Sequence, residues 1–138
     1  PTAATPMANY VPFQLVGGFL YLSGQGPRRA DGTLHTGKVG ADVTPEQAKE
    51  LAARCALNAL AAIRAEIGDL AQVRRVVKVV GFVASAPEFT GQPGVVNGAS
   101  ELFGAVFGDA GVHARSAVGV AVLPLDAPVE VEVVVEVG

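Results

Sequence analysis

"VTPEQAKELAARCALNALAAIRAEIGDLAQVRRVVKVVGFVAS", residues 43–85, changes its hydrophobic period once, and that change decides the fold. Ala48, Leu51, Ala52, Cys55, Ala59, Ile63 and Ile67 return every three or four positions, as one face of a helix does. Thr44 is placed to cap that helix, Pro45 to fill its first position, Gln47 to close a capping box and Gly68 to end it. Cys55 lies on the apolar stripe and reads as a buried small hydrophobe rather than a nucleophile. Beyond Gly68 the pattern switches. Val73–Ser85 is crowded with β-branched residues and reads as a strand.

Working outward, "FQLVGGFLYLSG" upstream predicts two short strands around Gly17-Gly18, a pair that accepts the positive φ of a tight hairpin turn. A loop carrying "ADGT" separates them from the helix. Downstream, a loop with Pro87, Gly91, Pro93 and Gly94 leads to a second helix, roughly Val95 to Phe107. Its stripe is Val95/Val96, Ala99, Leu102/Phe103 and Val106, and Gly108 stops it. A strand from about Arg115 to Leu123, a turn at "PLDAP" and "VEVEVVVEV" complete the chain. The order β-β-α-β-α-β-β predicts one α+β domain over residues 1–138, a single β-sheet with two helices packed on one face. The other face would carry many valines, too apolar to sit in water, so an oligomer is expected.

Half the residues are hydrophobic but only 6% are aromatic, so the core is built of Val, Ala and Leu. The net charge is −3 and the basic residues are scattered, with doublets only at Arg28-Arg29 and Arg74-Arg75. Nucleic-acid binding needs a concentrated basic face, which this pattern disfavours. One cysteine cannot form an internal disulfide, as suits a reducing compartment. No apolar run reaches membrane length, and a cytoplasmic location is expected. His35 and His113 lie in separate segments with no Cys/Asp cluster, so no metal site is expected.

The candidate chemistry centres on "VHARSAVGV", residues 112–120, where Arg115 interrupts a run of small and apolar residues. Two readings fit the pattern: an ion-pair partner tying elements together, or a cation awaiting a ligand's anion. Glu130, Glu132 and Glu136 share one strand face by their even spacing, as a solvated face would. Ser23 has no His and Asp pattern of a nucleophilic triad and reads equally as a turn cap or a ligand contact. Gln25 reads as structural, Tyr10 as a packing aromatic and Asn97 as a helix cap.

"YLSGQGP" (Tyr21–Pro27), "ARSAVGVAVLP" (Ala114–Pro124) and "VEVEVVVEV" (Val129–Val137) resemble the RidA family, also called YjgF or endoribonuclease L-PSP. The likeness runs the length of the chain, with "LNALAAI" in the first helix and "VVN" opening the second. It implies a chorismate-mutase-like trimer with ligand clefts between subunits. It also implies hydrolysis of reactive 2-imino acids, and of enamines in equilibrium with them, to 2-oxo acids and ammonia. No cofactor and no metal are implied. The family's carboxylate-binding arginine falls on Arg115 and its water-assisting acid on Glu130. Its cleft tyrosine, serine and asparagine fall on Tyr10, Ser23 and Asn97, with Gly24 supplying backbone N–H. Two residues past the arginine, where the best-known members often have cysteine, stands Ala117, so no thiol acts there. "GQPGVVNGAS" is also longer and richer in glycine than in those members. A non-catalytic protein binding a small carboxylate, such as a 2-oxo acid, is the competing expectation. Ribonuclease activity is disfavoured by the acidic charge.

Overall fold

The helix expected after Thr44 runs from Pro45 to Ile67 (α1) in the computed structural model, which describes Ala3 and residues 9–138. The capping box is closed in both directions: the Gln47 N–H donates to Thr44 Oγ1 at 3.1 Å and the Thr44 N–H to Gln47 Oε1 at 2.9 Å. Such a cap is worth about 1 kcal/mol. Gly68 ends the helix at φ +86°, which a side chain would resist. Upstream, β1 (Phe13–Val16) and β2 (Phe19–Leu22) form the hairpin, with Gly17 and Gly18 both at positive φ. The remaining elements are β3 (Val73–Ala84), α2 (Gln92–Phe107), β4 (Ala114–Val120) and β5 (Val129–Val137).

The sheet order is β1-β2-β5-β3-β4. Only β3 and β4 are parallel, because α2 carries the chain back between them. Both helices lie on one face, so the architecture is the expected two helices on a single five-stranded sheet. On β5, Val129, Val131, Val133 and Val135 are buried under the helices, while Glu130, Glu132, Val134 and Glu136 alternate onto the uncovered face. The uncovered face is therefore less apolar than expected. Period-two alternation sends most of the β5 valines inward and the acids outward. Phe82 lies beside Glu130, Val80 beside Glu132 and Tyr21 beside Val134, giving aromatic and aliphatic residues interleaved with carboxylates.

Two boundaries differ from the sequence reading. The second helix starts at Gln92, three residues before Val95, with Pro93 inside its first turn. A first-turn residue has no intrahelical acceptor for its N–H, so proline is at no disadvantage there. Gly91 is the N-cap and makes no side-chain cap bond, so Asn97 is not a cap. The fourth strand stops at Val120 rather than Leu123, because its partner β3 ends opposite it at Ala84. Val106, expected on the α2 stripe, is 44% exposed.

The helices cross at Gly98, where an added Cβ would lie 2.0 Å from the Lys49 carbonyl oxygen of α1. A helix gains about 1 kcal/mol from Gly→Ala by propensity alone, but overpacking costs about 1–3 kcal/mol and here the obstacle is backbone. The clash wins. Gly98→Ala is expected to lower the melting temperature, and a melt at or above wild type would contradict this packing.

Candidate functional site

Arg115 sits on edge strand β4 beside the buried Val79 of β3, so its side chain points to the helix-covered face. There it meets one side of α2. Pro93, Asn97 and Ser100 follow the i, i+4, i+7 spacing that aligns residues along a helix. Arg115 Nη1 donates to Asn97 Oδ1 at 2.7 Å and to Ser100 Oγ at 3.2 Å, and Nη2 donates to the Pro93 carbonyl at 3.4 Å. A guanidinium has five N–H donors. These contacts consume the Nη1 pair and one Nη2 hydrogen. Nε–H and one Nη2–H have no partner among the described residues, and Nε and Nη2 together form the edge away from Nη1.

No acid neutralises this group. Among the described residues the ion pairs are Lys38–Asp126, Lys49–Glu101 and Arg75–Glu136, and none involves Arg115. A half-buried guanidinium held only by neutral acceptors keeps its full positive charge and favours an arriving anion. The uncapped start of α2 beside it contributes further positive potential. Ala117, two residues along β4 on the same face, packs against the core.

The second cluster lies on the uncovered face. Glu130 is half-buried there, with its carboxylate against the backbone of Gly24; a Cβ on Gly24 would stand 2.4 Å from Glu130 Oε2. Burial raises the Glu130 pKa above the ordinary carboxylate value, and the neighbouring charge of Glu132 raises it further. Gln25 anchors this segment through paired backbone bonds with Val131. Ser23 Oγ donates to the Val11 carbonyl at 2.6 Å, and its N–H donates to the Pro12 carbonyl at 2.8 Å. Those bonds hold the stretch after Tyr10, whose own side chain is half exposed.

The expected residues therefore gather into two groups. Arg115, Asn97 and Ala117 share the helix-side edge, and Ser23, Gly24 and Glu130 share the other face, while the exposed Tyr10 precedes β1 and is joined to neither group by a hydrogen bond among the described residues. Arg115 and Glu130 are separated by β3, about 10 Å across two strand spacings, and by the three residues from Val79 to Phe82, about 10 Å along the strands, and they point to opposite sides of the sheet. One chain does not bring them together.

Sequence reading missed Ser100 and underrated His113. Ser100 stands one turn after Asn97 on α2, and that i, i+3 pairing of polar residues was the available signal. Cys55 is buried as expected, its thiol pKa pushed well up by burial and then by the Glu130 charge. Elsewhere, Arg29, His35, Gln47, Glu50, Leu51 and Arg54 line a surface depression of about 260 Å³ that contains none of the expected site residues. Among the described residues no three His, Cys, Asp or Glu gather as metal ligands, and no helix is long and apolar enough to cross a membrane.

Comparison with known proteins places this geometry in a family. Protein TCP17 of Trypanosoma cruzi is 47% identical over 137 residues, covering 99% of this chain and 86% of that protein. The crystal structure of Atu1372 from Agrobacterium tumefaciens is 49% identical with a TM-score of 0.94, covering all of this chain and 85% of that one. RidA from the Antarctic bacterium Psychrobacter sp. is 26% identical with a TM-score of 0.68, covering 99% of this chain and 94% of that one. Residues 1–137 match the profile of the family described as "YjgF/chorismate_mutase-like, putative endoribonuclease". The chain belongs to the YjgF/RidA family.

Proposed function

We propose that this chain is a hydrolytic deaminase of 2-imino acids, working as a cytoplasmic homotrimer. Each cleft joins the Arg115 cluster of one subunit to the Gly24–Glu130 cluster of the next. The observation that carries this reading is the separation of an anion-seeking arginine edge and a basic carboxylate onto opposite sides of one sheet. Each is half of a site, and a second copy supplies the complement.

The chemistry follows from the two halves. The Nε/Nη2 edge of Arg115 matches a carboxylate with two parallel charge-assisted bonds. Held by that end, the substrate turns its imine carbon toward one water, which is catalysis by positioning. Glu130 accepts the water's proton as the C–O bond forms and passes it to the imine nitrogen, giving a neutral carbinolamine. It then takes the carbinolamine's hydroxyl proton as the carbonyl forms and delivers it to the nitrogen as the C–N bond breaks, releasing ammonia and the 2-oxo acid.

The test generates imino acids in place with an amino-acid oxidase and follows ammonia release. Acceleration by this protein is expected. Tight pyruvate binding without acceleration would leave a carboxylate-binding protein instead, and a monomer in sedimentation at micromolar concentration would sink the composite cleft. Gly24→Ala probes the second half separately. Its Cβ would strike the mobile end of Glu130 rather than backbone, so the carboxylate moves and the fold stays. Turnover should fall with the melting temperature nearly unchanged. Full turnover would show that the carboxylate's seat on Gly24 does not matter.

A further inference from the structure

We infer that Ser100 and His113 form a positioning relay that fixes which edge of the Arg115 guanidinium faces the ligand. The inference rests on the proposed reading of Arg115 as the carboxylate anchor. Ser100 and His113 are assigned no contact with substrate. They act through the arginine.

The proton assignment follows from the partners. His113 Nδ1 lies 2.6 Å from the Gly111 carbonyl oxygen, which can only accept, so Nδ1 carries the hydrogen. In the neutral ring Nε2 is then the acceptor, and Ser100 Oγ, 2.9 Å away, donates its hydrogen to it. With that hydrogen turned to the imidazole, the serine oxygen presents its lone pairs to Arg115 Nη1 at 3.2 Å. A serine within a helix can otherwise send its hydroxyl to the carbonyl one turn back. His113 removes that freedom.

The relay ends on rigid parts. The His113 ring stands edge-on to the fully buried Phe103, with centroids 6.1 Å apart at 87°. Gly111 is packed so closely that a Cβ there would lie 2.4 Å from the Phe103 carbonyl oxygen. From the other side, Asn97 Oδ1 takes the second Nη1 hydrogen at 2.7 Å. With both Nη1 hydrogens held, the guanidinium plane cannot turn about its own axis without breaking a bond. The Nε/Nη2 edge stays outward.

Two measurements on the intact protein test this. The first needs no ligand: nitrogen NMR of the Arg115 side chain, assigned by its loss in Arg115→Lys. Wild type and Ser100→Thr should show restricted rotation with resolved Nη signals. Ser100→Ala should show averaged ones, and His113→Phe partial averaging. Resolved signals persisting in Ser100→Ala would overturn the relay.

The second is a double-mutant cycle on pyruvate affinity. Ser100→Ala should weaken binding about 10-fold in the wild-type background and hardly at all in Arg115→Lys, whose ammonium has no edge to orient. Equal losses in both backgrounds would show that Ser100 does not act through the fork, and the relay falls. If the NMR pattern appears while wild type binds neither pyruvate nor imino acid, the relay stands and the carboxylate reading of Arg115 fails.

Discussion

Glu130→Gln is expected to slow imino-acid hydrolysis by about 10²–10⁴-fold, the usual worth of a general base, with pyruvate binding nearly intact. The amide keeps the side chain's shape against Gly24 and can still hold a water, but it cannot take the water's proton. The raised pKa of the native carboxylate, caused by burial and then by Glu132, makes it a stronger base than an ordinary glutamate. The same shift sets the pH dependence. Activity should fall as pH drops through the raised value and the carboxylate is protonated, and this acid limb should vanish in the variant.

Stability runs in the opposite sense. A raised native pKa means the folded state holds the proton more tightly than the unfolded chain, so stability falls as pH rises from the ordinary carboxylate value through the raised one. Glu130→Gln should therefore melt higher than wild type at neutral pH and lose that advantage in acid. Wild-type turnover in Glu130→Gln would transfer the role to Glu132, which shares its face.

The helices and strands were legible because their signals are local. The Thr44–Gln47 box, the Ala48–Ile63 stripe and the Gly17-Gly18 turn each decide their element within a few residues. Period-two alternation in Val129–Val137 also fixed that the glutamates share a face. What sequence could not decide was non-local. Whether Pro93 and Gly94 belong to a loop or a helix depends on a first turn that tolerates both, and the length of β4 depends on where β3 ends.

The site shows the same division. Arg115 was conspicuous as a charge in an apolar run, yet its partners come from another element and emerge only when β3 and β4 bring α2 alongside. Ser100 carries no signal in sequence beyond its i, i+3 spacing from Asn97. The separation of Arg115 from Glu130 is a matter of which face each strand residue takes, and the parallel β3–β4 register settles it.

Arg115→Ala is expected to abolish 2-oxo acid binding while the protein stays folded. Losing one partner of a desolvated charge pair costs about 2–5 kcal/mol, about 30-fold or more in affinity. The alternative, an internal ion pair, predicts a different outcome: an orphaned acid and a lower melting temperature. The structure weighs against it, since among the described residues Arg115 hydrogen-bonds only to Asn97, Ser100 and the Pro93 carbonyl. Asn97 and Ser100 are only half-buried and the carbonyl is at the surface, so water can replace the lost donor at little cost. Arg115→Lys should recover part of the affinity, because a point charge attracts the carboxylate but cannot meet both oxygens along one edge. Thermal melts and pyruvate titrations on the same three proteins decide the matter. Wild-type pyruvate affinity in a stable Arg115→Ala variant would end the ligand reading of this arginine.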